Sequence, residues 1–485
     1  MKKHVLFLML MAILAVFAAS CKDPNPVPPQ DDQDPSGEQP VDKPTEEPAV
    51  ELENLKLSIP VTGDEWIFAD KPVITIHAEN PNAQAMTADA KVIINTDKGK
   101  KVVTLTQSVE VAAKGSADIT FTTEEALDPG FYRAICTVNR KPANIMVEGA
   151  LAGKKNSFVF GISPEEIVSA PDKQDDFDAF WDETLAQLEA VEMNPTLIEI
   201  PKFSSAARKV YLVEMQSLPD GLSGDPVLIH GYYLEPQDGK KHPVIMHYYG
   251  YDDLHPYGKI FCPYGGSSAE YAEFYLSTRG QIINNRTADQ REDGIDLNFQ
   301  NAYGDWFAFH FGQRDSYYYR GAFMDVVQGI RFMATRETSD MNNVFAEGKS
   351  QGGAFSYAAA ALSPYPLRAV APGVAFLGDF PDYFDIVSWP ANVAKTNKGA
   401  MTNEEMYQFL SYFDTKNLAT RIHCAVIANI CLQDETCPPH TNIAPFNNLS
   451  NPDKKLYFYP LLGHDIPGGW DNRYLAFFNA HIVSE

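Results

Sequence analysis

The chain has 485 residues, enough for two or three domains, and its 45% hydrophobic and 21% charged residues are ordinary for a globular protein. Its formal net charge of -25 argues against a nucleic-acid partner, because proteins that hold phosphate backbones show a basic surface. A neutral substrate fits this acidic chain better.

Residues 1–20 are typical of a secretory signal peptide, since Lys2 and Lys3 precede a long apolar run. Small residues end that run directly before Cys21, and this arrangement resembles the lipobox of bacterial lipoproteins. The resemblance implies lipidation at Cys21 and an exported lipoprotein of the outer membrane, on its periplasmic or cell-surface face. The lipid would then be the only membrane contact. An ordinary signal peptide with an incidental cysteine is the alternative.

Residues 21–50 follow as an acidic, proline-rich segment. Between Lys22 and Ala49 there are eight prolines, eight acidic residues and no aromatic residue. A segment of this composition cannot bury a core, and its like charges repel each other. It is therefore predicted to be an extended tether.

Residues 51–163 are predicted to form an all-β, immunoglobulin-like sandwich. Short β-branched runs alternate there with turn residues, as in "KPVITIHAE", "AKVIINTD" and "GFYRAICTV". The segment shows no catalytic constellation. An exposed Trp66 would be able to stack on a sugar, but a lone tryptophan in a sandwich usually belongs to the core.

Residues 170–485 are predicted to form an α/β domain. The domain opens with an amphipathic helix that carries Phe177, Trp181, Leu185 and Leu188 at helical spacing. Strand-like and helical runs then alternate, which indicates a mostly parallel sheet wrapped by helices. The strand-like runs are "KVYLVEM", "DPVLIHGYYLEP", "HPVIMHYYG", "GQIINNR", "NNVFAEG", "LRAVAPGVAF", "CAVIANICL" and "KLYFYPL".

Ser350 stands in a G-x-S-x-G pattern, between a predicted strand and an alanine-rich predicted helix. Glycines on both sides permit the sharp turn that would expose such a serine. A serine needs a base and an acid to become a nucleophile, and Asp434 and His464 each follow a predicted strand. The chain order of serine, acid and histidine is that of an α/β-hydrolase.

Other histidines and acids are weaker candidates. His230 and His247 lie inside strand-like runs, and His440 follows two prolines at a predicted helix start. Asp465 directly follows the candidate histidine and cannot easily face the same imidazole. Asp453 lies in a loop before a strand.

Eight ordered blocks lie between about residues 170 and 485. They are "DDFDAFW", "IHGYYLEP", "TRGQ", "DSYYYRGAFMDVV", "GKSQGGAFSYAAAAL", "LSYFDTKNLATRI", "LQDETCPP" and "GHD". Together these blocks resemble the acetyl xylan esterase and cephalosporin-C deacetylase family, carbohydrate esterase family seven. The resemblance implies an α/β-hydrolase fold and a serine esterase that needs no metal or organic cofactor.

Carried over to matching positions, the resemblance implies roles for individual residues. Ser350 would be the nucleophile, His464 the general base and then acid, and Asp434 the residue that orients the imidazole. The backbone N–H groups of Tyr249 and Gln351 would form the oxyanion hole. The segment "HGYY" at 230 to 233 looks closer to the family's oxyanion motif, but the block order assigns Tyr249.

Three positions depart from the family pattern. Tyr248 replaces a small residue, Lys349 stands where glycine is usual, and Asp465 replaces a glutamate. None of the three removes a catalytic group, so they bear on substrate choice more than on the reaction.

The expected function is removal of acetyl groups from acetylated xylo-oligosaccharides or similar small esters. The alternatives are a surface glycan-binding lipoprotein with a degenerate hydrolase domain, and a peptidase or different esterase on the same fold. Family members commonly form ring-like hexamers, so the resemblance also implies a homo-oligomer. A membrane anchor and an extra domain would oppose closure of such a ring.

The cysteines leave disulfide pairing open. Five cysteines follow Cys21, and an odd number excludes complete pairing within the chain. Cys431 and Cys437 flank Asp434 at a distance in sequence that permits a bridge, but buried thiols on a strand are equally consistent. The cysteines show no zinc-ligand spacing.

Overall fold

A computed structural model describes residues 52–149, 152–251, 270–281 and 302–484. The predicted signal peptide, the predicted lipidation residue Cys21 and the predicted tether lie outside the described residues. The described residues from 53 onward belong to one compact unit. In the described ranges, no helix combines the length and apolarity needed to cross a membrane.

The amino-terminal part, which we call the β region, is built from strands between residues 56 and 162. Its two larger sheets have the orders β1-β3-β6 and β2-β11-β7-β4-β5, with β8 paired to β7, and β9 pairs with β10. Side chains alternate along β4, where Ala88, Ala90, Val92 and Ile94 are buried and their neighbours face outward. The strands are β1 (Lys56–Ser58), β2 (Ile67–Phe68), β3 (Ile74–Glu79), β4 (Met86–Thr96), β5 (Lys101–Val111), β6 (Ser116–Phe121), β7 (Gly130–Val138), β8 (Lys141–Pro142), β9 (Ile145–Val147), β10 (Gly153–Lys155) and β11 (Ser157–Ile162).

Trp66 belongs to the core of the β region. Its side chain is 1% exposed and stacks on Phe158, with ring centroids 4.3 Å apart. It therefore presents no face to a sugar.

The carboxy-terminal part, which we call the hydrolase region, is built on one sheet of order β12-β13-β14-β16-β15-β17-β18-β19-β20. In sheet order, the strands β16, β15, β17, β18, β19 and β20 run parallel to one another. The strands β12, β13 and β14 pair antiparallel at one edge of the sheet. This confirms the predicted mostly parallel sheet. Its strands are β12 (Thr196–Glu199), β13 (Arg208–Ser217), β14 (Val227–Pro236), β15 (His242–Tyr248), β16 (Ala272–Ser277), β17 (Ser339–Lys349), β18 (Ala369–Gly373), β19 (Ala425–Cys431) and β20 (Lys454–Tyr459).

Helices cover both faces of this sheet. Along β15, Val244 and Met246 pack into the larger core, while Ile245 points to the other face and joins a cluster with Trp470 and Phe478. The described helices are α1 (Phe177–Glu189), α2 (Tyr318–Ala334), α3 (Gln351–Leu362), α4 (Phe380–Ile386), α5 (Ala391–Asn397), α6 (Asn403–Ser411), α7 (Thr415–Leu418), α8 (Pro439–Asn447) and α9 (Trp470–Ala480).

Only Gly280 and Gln281 of the strand predicted at "GQIINNR" lie within the described residues, and neither belongs to a strand. Arg279 and Gly280 form a turn, and β16 lies just before it. The turn is fixed because Asp325 accepts hydrogen bonds from the Arg279 backbone N–H and from its guanidinium, at 2.7 to 2.9 Å. The residues from 282 to 286 lie outside the described ranges.

Candidate active site

Ser350 lies at the turn between β17 and α3, with φ 60° and ψ -118°. This backbone region is costly for a residue with a side chain and persists only where the surroundings impose it. Three backbone hydrogen bonds hold it here. The Ser350 N–H donates to the Gly373 carbonyl at 2.9 Å, and the Ser350 carbonyl accepts the N–H groups of Phe376 and Ala354 at 3.0 and 3.1 Å.

The flanking glycines are required by close backbone contacts. A Cβ on Gly348 would lie 2.4 Å from the Gly352 carbonyl oxygen, and one on Gly352 would lie 2.2 Å from the carbonyl oxygen of Tyr248. Since both obstacles are backbone atoms, a larger residue would have to separate α3 from the sheet. The glycines therefore place the start of α3 directly against the ends of β15 and β17.

The structure brings Ser350, His464 and Asp434 together in one chain of hydrogen bonds. His464 Nε2 lies 3.0 Å from Ser350 Oγ, and His464 Nδ1 lies 2.7 Å from Asp434 Oδ2. Asp434 follows β19 and His464 follows β20, so the parallel strands deliver all three side chains to one edge of the sheet.

The direction of these hydrogen bonds follows from which side-chain atoms can donate a proton and which can only accept one. A carboxylate only accepts, so Nδ1 of His464 carries the proton that is donated to Asp434. Nε2 of the neutral ring is then the acceptor for the Ser350 hydroxyl. The arrangement can remove a proton from Ser350 without any rearrangement of side chains.

The carboxylate of Asp434 is fixed from its other side as well. Its side chain is buried, and its Oδ1 accepts the backbone N–H groups of Thr436 and Cys437, each at 2.8 Å. Oδ2 is thereby left for His464. A buried carboxylate with every partner in place orients an imidazole better than a mobile one.

Tyr249 and Gln351 both lie next to Ser350. Tyr249 lines the same cavity as Ser350, and Gln351 is the first residue of α3, where a backbone N–H has no intrahelical acceptor. The Gln351 side-chain amide is buried and has no hydrogen-bond partner among the described residues. The oxyanion role of the two N–H groups stays a prediction.

The other strand histidines considered from the sequence contact glutamate side chains rather than Ser350. His230 on β14 contacts Glu214 at 2.9 Å. His247 on β15 lies between Glu347 and Glu273, at 2.7 and 3.0 Å. Burial alone would lower the pKa of His247, but its hydrogen bonds with Glu273 and Glu347 raise it to about 9.

The rival acids are engaged elsewhere. Asp453 contacts His481 at 2.8 Å, and Asp465 contacts Lys349 at 3.0 Å. Two positions that depart from the family pattern thus pair with each other. Tyr248 is the third position that departs from the family pattern. Its ring packs edge-on against Phe355 and it is 4% exposed, but Tyr248 also lines the cavity that contains Ser350.

The cavity at Ser350 has a volume of about 670 Å³ and is lined mainly by residues that sequence reasoning missed. Tyr251 donates a hydrogen bond to Asp305 at 2.8 Å, and Trp389 stacks on Phe376 with centroids 5.4 Å apart. These residues belong to connecting segments and carry no motif, so only the fold reveals them. Further lining residues are Glu347, Lys349 and Thr436.

A second cavity, of about 560 Å³, adjoins the first. Trp389 and Thr436 line both cavities, and Asp434 also lines the second. The β region contributes part of its wall, through Asp97, Phe131, Arg133 and Val159. The two regions of the chain therefore meet beside the candidate site.

The cysteines near the site are free thiols. Cys431 and Cys437 form no bridge with each other, and Cys136 and Cys424 are also free. Burial raises the pKa of the Cys437 thiol well above its ordinary value, so the thiol stays protonated.

Among the described residues, Asp379, Asp382 and His440 lie close enough together to suggest a metal site. Their charges are already compensated, since Lys416 contacts Asp379 at 3.0 Å and Lys98 contacts Asp382. Burial would lower the pKa of His440, but its hydrogen bonds with both aspartates raise it to about 9. A protonated imidazole is not a metal ligand. We interpret the group as an ion-pair cluster.

Comparisons with known proteins identify the family of the chain. The family model for acetyl xylan esterase (AXE1) matches residues 165–482. The acetyl esterase Axe7A of Xylanibacter ruminicola is 26% identical over 330 residues, which cover 65% of this chain and 70% of that protein.

Solved structures lead to the same fold. The acetyl xylan esterase of Paenibacillus sp. R4 is 26% identical, with a TM-score of 0.55, and acetyl xylan esterase 1 of Thermoanaerobacterium sp. JW/SL YS485 is 24% identical, with a TM-score of 0.54. Each match covers 66% of this chain and 98% of the other. The fold of the hydrolase region is thus that of an α/β-hydrolase. The chain belongs to the acetyl xylan esterase (AXE1) family and is a carboxylic ester hydrolase.

Proposed function

We propose that this esterase removes acetyl groups from acetylated xylo-oligosaccharides or similar short-chain carbohydrate esters, with Ser350, His464 and Asp434 as its catalytic residues. The hydrogen-bonded series from Ser350 Oγ through His464 to Asp434, at 3.0 and 2.7 Å, is the observation that carries the proposal. The proposed substrate class also draws on the names of the related proteins.

The reaction proceeds by two acyl transfers. Ser350 Oγ attacks the acetyl carbonyl carbon while His464 Nε2 takes the hydroxyl proton, and the backbone N–H groups of Tyr249 and Gln351 stabilise the oxyanion. The ester bond then breaks, and the sugar alkoxide leaves with the proton from His464. Water, deprotonated by His464, attacks the acetyl-serine, and acetate departs as Ser350 recovers its proton.

The two adjoining cavities favour an oligosaccharide as the alcohol part of the ester. The cavity at Ser350 accepts the acetyl group and the sugar that bears it, and the neighbouring cavity offers room for a further sugar beside the shared wall of Trp389 and Thr436. We therefore expect kcat/KM to rise when the acetylated sugar carries additional units.

Acetate release tests the proposal. Wild type should release acetate from acetylated xylo-oligosaccharides, and Ser350→Ala should lower kcat by at least about a thousandfold. Ser363→Ala, at the other end of α3, is the matched control and should keep wild-type activity. Equal release by wild type and Ser350→Ala would refute the catalytic assignment. A panel of longer acyl esters and peptides separates this function from another esterase or a peptidase.

We also propose that residues 51–163 form an immunoglobulin-like sandwich, residues 170–485 form the esterase domain, and Cys21 is lipidated after cleavage of residues 1–20. The two larger sheets of the β region support the first part, and the sequence pattern around Cys21 supports the last. Incorporation of a labelled fatty acid by wild type but not by Cys21→Ser in a bacterial host would support lipidation. Equal labelling of both would contradict it.

A further inference from the structure

Gln433, the residue before Asp434, reaches across to the β region with its side chain. Its Oε1 accepts the Val159 N–H at 2.9 Å, and its Nε2 donates to the Val159 carbonyl at 3.1 Å. Gln433 and Val159 are both buried, with 9% and 5% exposure. One amide thus bonds to both backbone groups of a single residue in β11, as a neighbouring strand would.

Gln433 also connects two loops of the candidate site. We call the loop that holds Asp434 the acid loop and the loop that holds His464 the histidine loop. Gln433 Nε2 donates a second hydrogen bond to the Pro460 carbonyl at 2.7 Å, and its backbone N–H donates to the Leu462 carbonyl at 3.0 Å. Pro460 and Leu462 lie between β20 and His464. Gln433 therefore connects three segments: β11, the loop that holds Asp434 and the loop that holds His464.

The β region contacts the histidine loop directly as well. The Glu148 N–H donates to the Leu461 carbonyl at 2.8 Å, in a short parallel bridge between the two segments. A Cβ on Gly149 would lie 2.7 Å from a carboxylate oxygen of Asp465. The loop after β9 therefore packs tightly against the residue that follows His464.

These contacts come from outside the part of the chain that matches the family. The family model covers residues 165–482, whereas Glu148, Gly149 and Val159 precede it. We propose that Gln433 is a positioning residue for catalysis, anchored to the backbone of β11, and that the β region is thereby a working part of the active site. The inference rests on the proposed roles of Asp434 and His464.

Positioning by Gln433 matters because a catalytic triad tolerates only small displacements of its side chains. A displacement of about 1 Å lowers the rate on the order of a hundredfold, because proton transfer needs well-aligned hydrogen bonds. Gln433 itself lines neither cavity described above, whereas its partner Val159 and its neighbour Asp434 line the second, so its loss should change kcat more than KM. We therefore expect loss of the Gln433 hydrogen bonds to lower kcat, and to do so by displacing Asp434.

Gln433→Met tests this role with a side chain of similar size that makes none of the three hydrogen bonds. We expect kcat for acetate release to fall about ten- to a hundredfold, with KM changed by less than about twofold. Asn447→Leu is the matched control, since the Asn447 amide donates two hydrogen bonds, at 2.9 Å, to the Pro164 and Ile167 carbonyls and touches neither catalytic loop. This control should keep wild-type kcat.

A double-mutant cycle separates positioning from general destabilisation. If Gln433 acts through Asp434, adding Gln433→Met to Asp434→Ala should cause no further loss of kcat. An additive loss, or wild-type kcat in Gln433→Met beside an impaired Asp434→Ala, would overturn the inference. Wild-type kcat in Asp434→Ala itself would instead refute the proposed triad.

Circular dichroism and thermal unfolding establish that each variant is folded. Should Gln433→Met fail to fold, Gln433→Asn takes its place in the same cycle, since its uncharged amide is one methylene shorter and is withdrawn from its three hydrogen-bond partners. The same two outcomes then decide: no added loss in the Asp434→Ala background supports positioning, and an additive loss rejects it.

Discussion

At the scale of single residues, Lys349 and Asp465, which form an ion pair, are the sequence neighbours of two proposed catalytic residues. Lys349 precedes Ser350 and Asp465 follows His464, and their charged atoms lie 3.0 Å apart. Both side chains are about one-third exposed, so solvent screens the pair and it adds little to the free energy of unfolding. Its position nevertheless links the end of β17 to the histidine loop.

Lys349→Met and Asp465→Asn should each lower kcat by about two- to fivefold, which corresponds to the energy typical of an exposed ion pair. The double variant should be no worse than either single variant, because each already breaks the same contact. Steady-state kinetics of the four proteins measure this coupling. Lys209→Met, which breaks an exposed pair with Glu199 at 3.1 Å far from the site, should leave kcat unchanged. If the two substitutions instead lowered kcat independently, so that their effects multiplied in the double variant, the contact between Lys349 and Asp465 would have no role in catalysis.

At the scale of elements, the turn between β17 and α3 depends on packing between backbones. The start of α3 approaches the end of β15 so closely that Gly352 has the Tyr248 carbonyl oxygen beside it. Tyr249, the proposed oxyanion residue, comes next in the chain. The same contact therefore fixes the proposed nucleophile, Ser350, and a proposed oxyanion donor relative to each other.

Gly352→Ala should separate these two elements and lower kcat by about a hundredfold or more, since a Cβ would lie 2.2 Å from a backbone oxygen. The free energy of unfolding should fall as well, by about 1 to 3 kcal/mol, as is usual for overpacking. Activity assays and denaturant unfolding measure the two effects. Gly153→Ala is the control, because its added Cβ meets no atom within 4 Å. A fully active Gly352→Ala would contradict the proposed rigidity of the turn.

Sequence reasoning succeeded where the physical cause is local. The turn at Ser350 is encoded by glycines within a few residues, and the positions of Asp434 and His464 follow from strands that end just before them. It failed where the cause is distant. Gln433 and Val159 are 274 positions apart, and Trp389 and Asp305 enter the cavity from segments without any pattern. Such contacts depend on how the two regions of the chain pack, which periodicity does not encode.

At the scale of the whole molecule, a cluster of charges joins the β region to the hydrolase region. His440 at the start of α8 contacts Asp379 and Asp382 at 3.1 and 3.0 Å, and it faces Asp97 of the β4–β5 connection at 3.7 Å. Lys98 and Lys416 supply further positive charge to these carboxylates. The protonated form of His440 is therefore favoured in the folded protein.

This cluster makes stability depend on pH. The pKa of His440 is raised from 6.5 to about 9, so its contribution is complete below pH 6.5 and is lost as pH rises through 9. The linked free energy is about 3 kcal/mol. Thermal unfolding between pH 6 and 10 should show a smaller loss of stability in His440→Gln than in wild type. Identical pH profiles for the two proteins would contradict the assigned ion pairs.

The hydrogen bonds between Gln433 and β11 also bear on modular evolution. Recombination at residue 165, where the family match begins, would remove β11 and leave the Gln433 amide without two of its three side-chain hydrogen bonds, so we expect the hydrolase region to transfer poorly on its own. We therefore expect the boundary of the family match to differ from the boundary at which the chain can be divided without loss of activity. Protein engineers who transplant the hydrolase should carry its β neighbour with it.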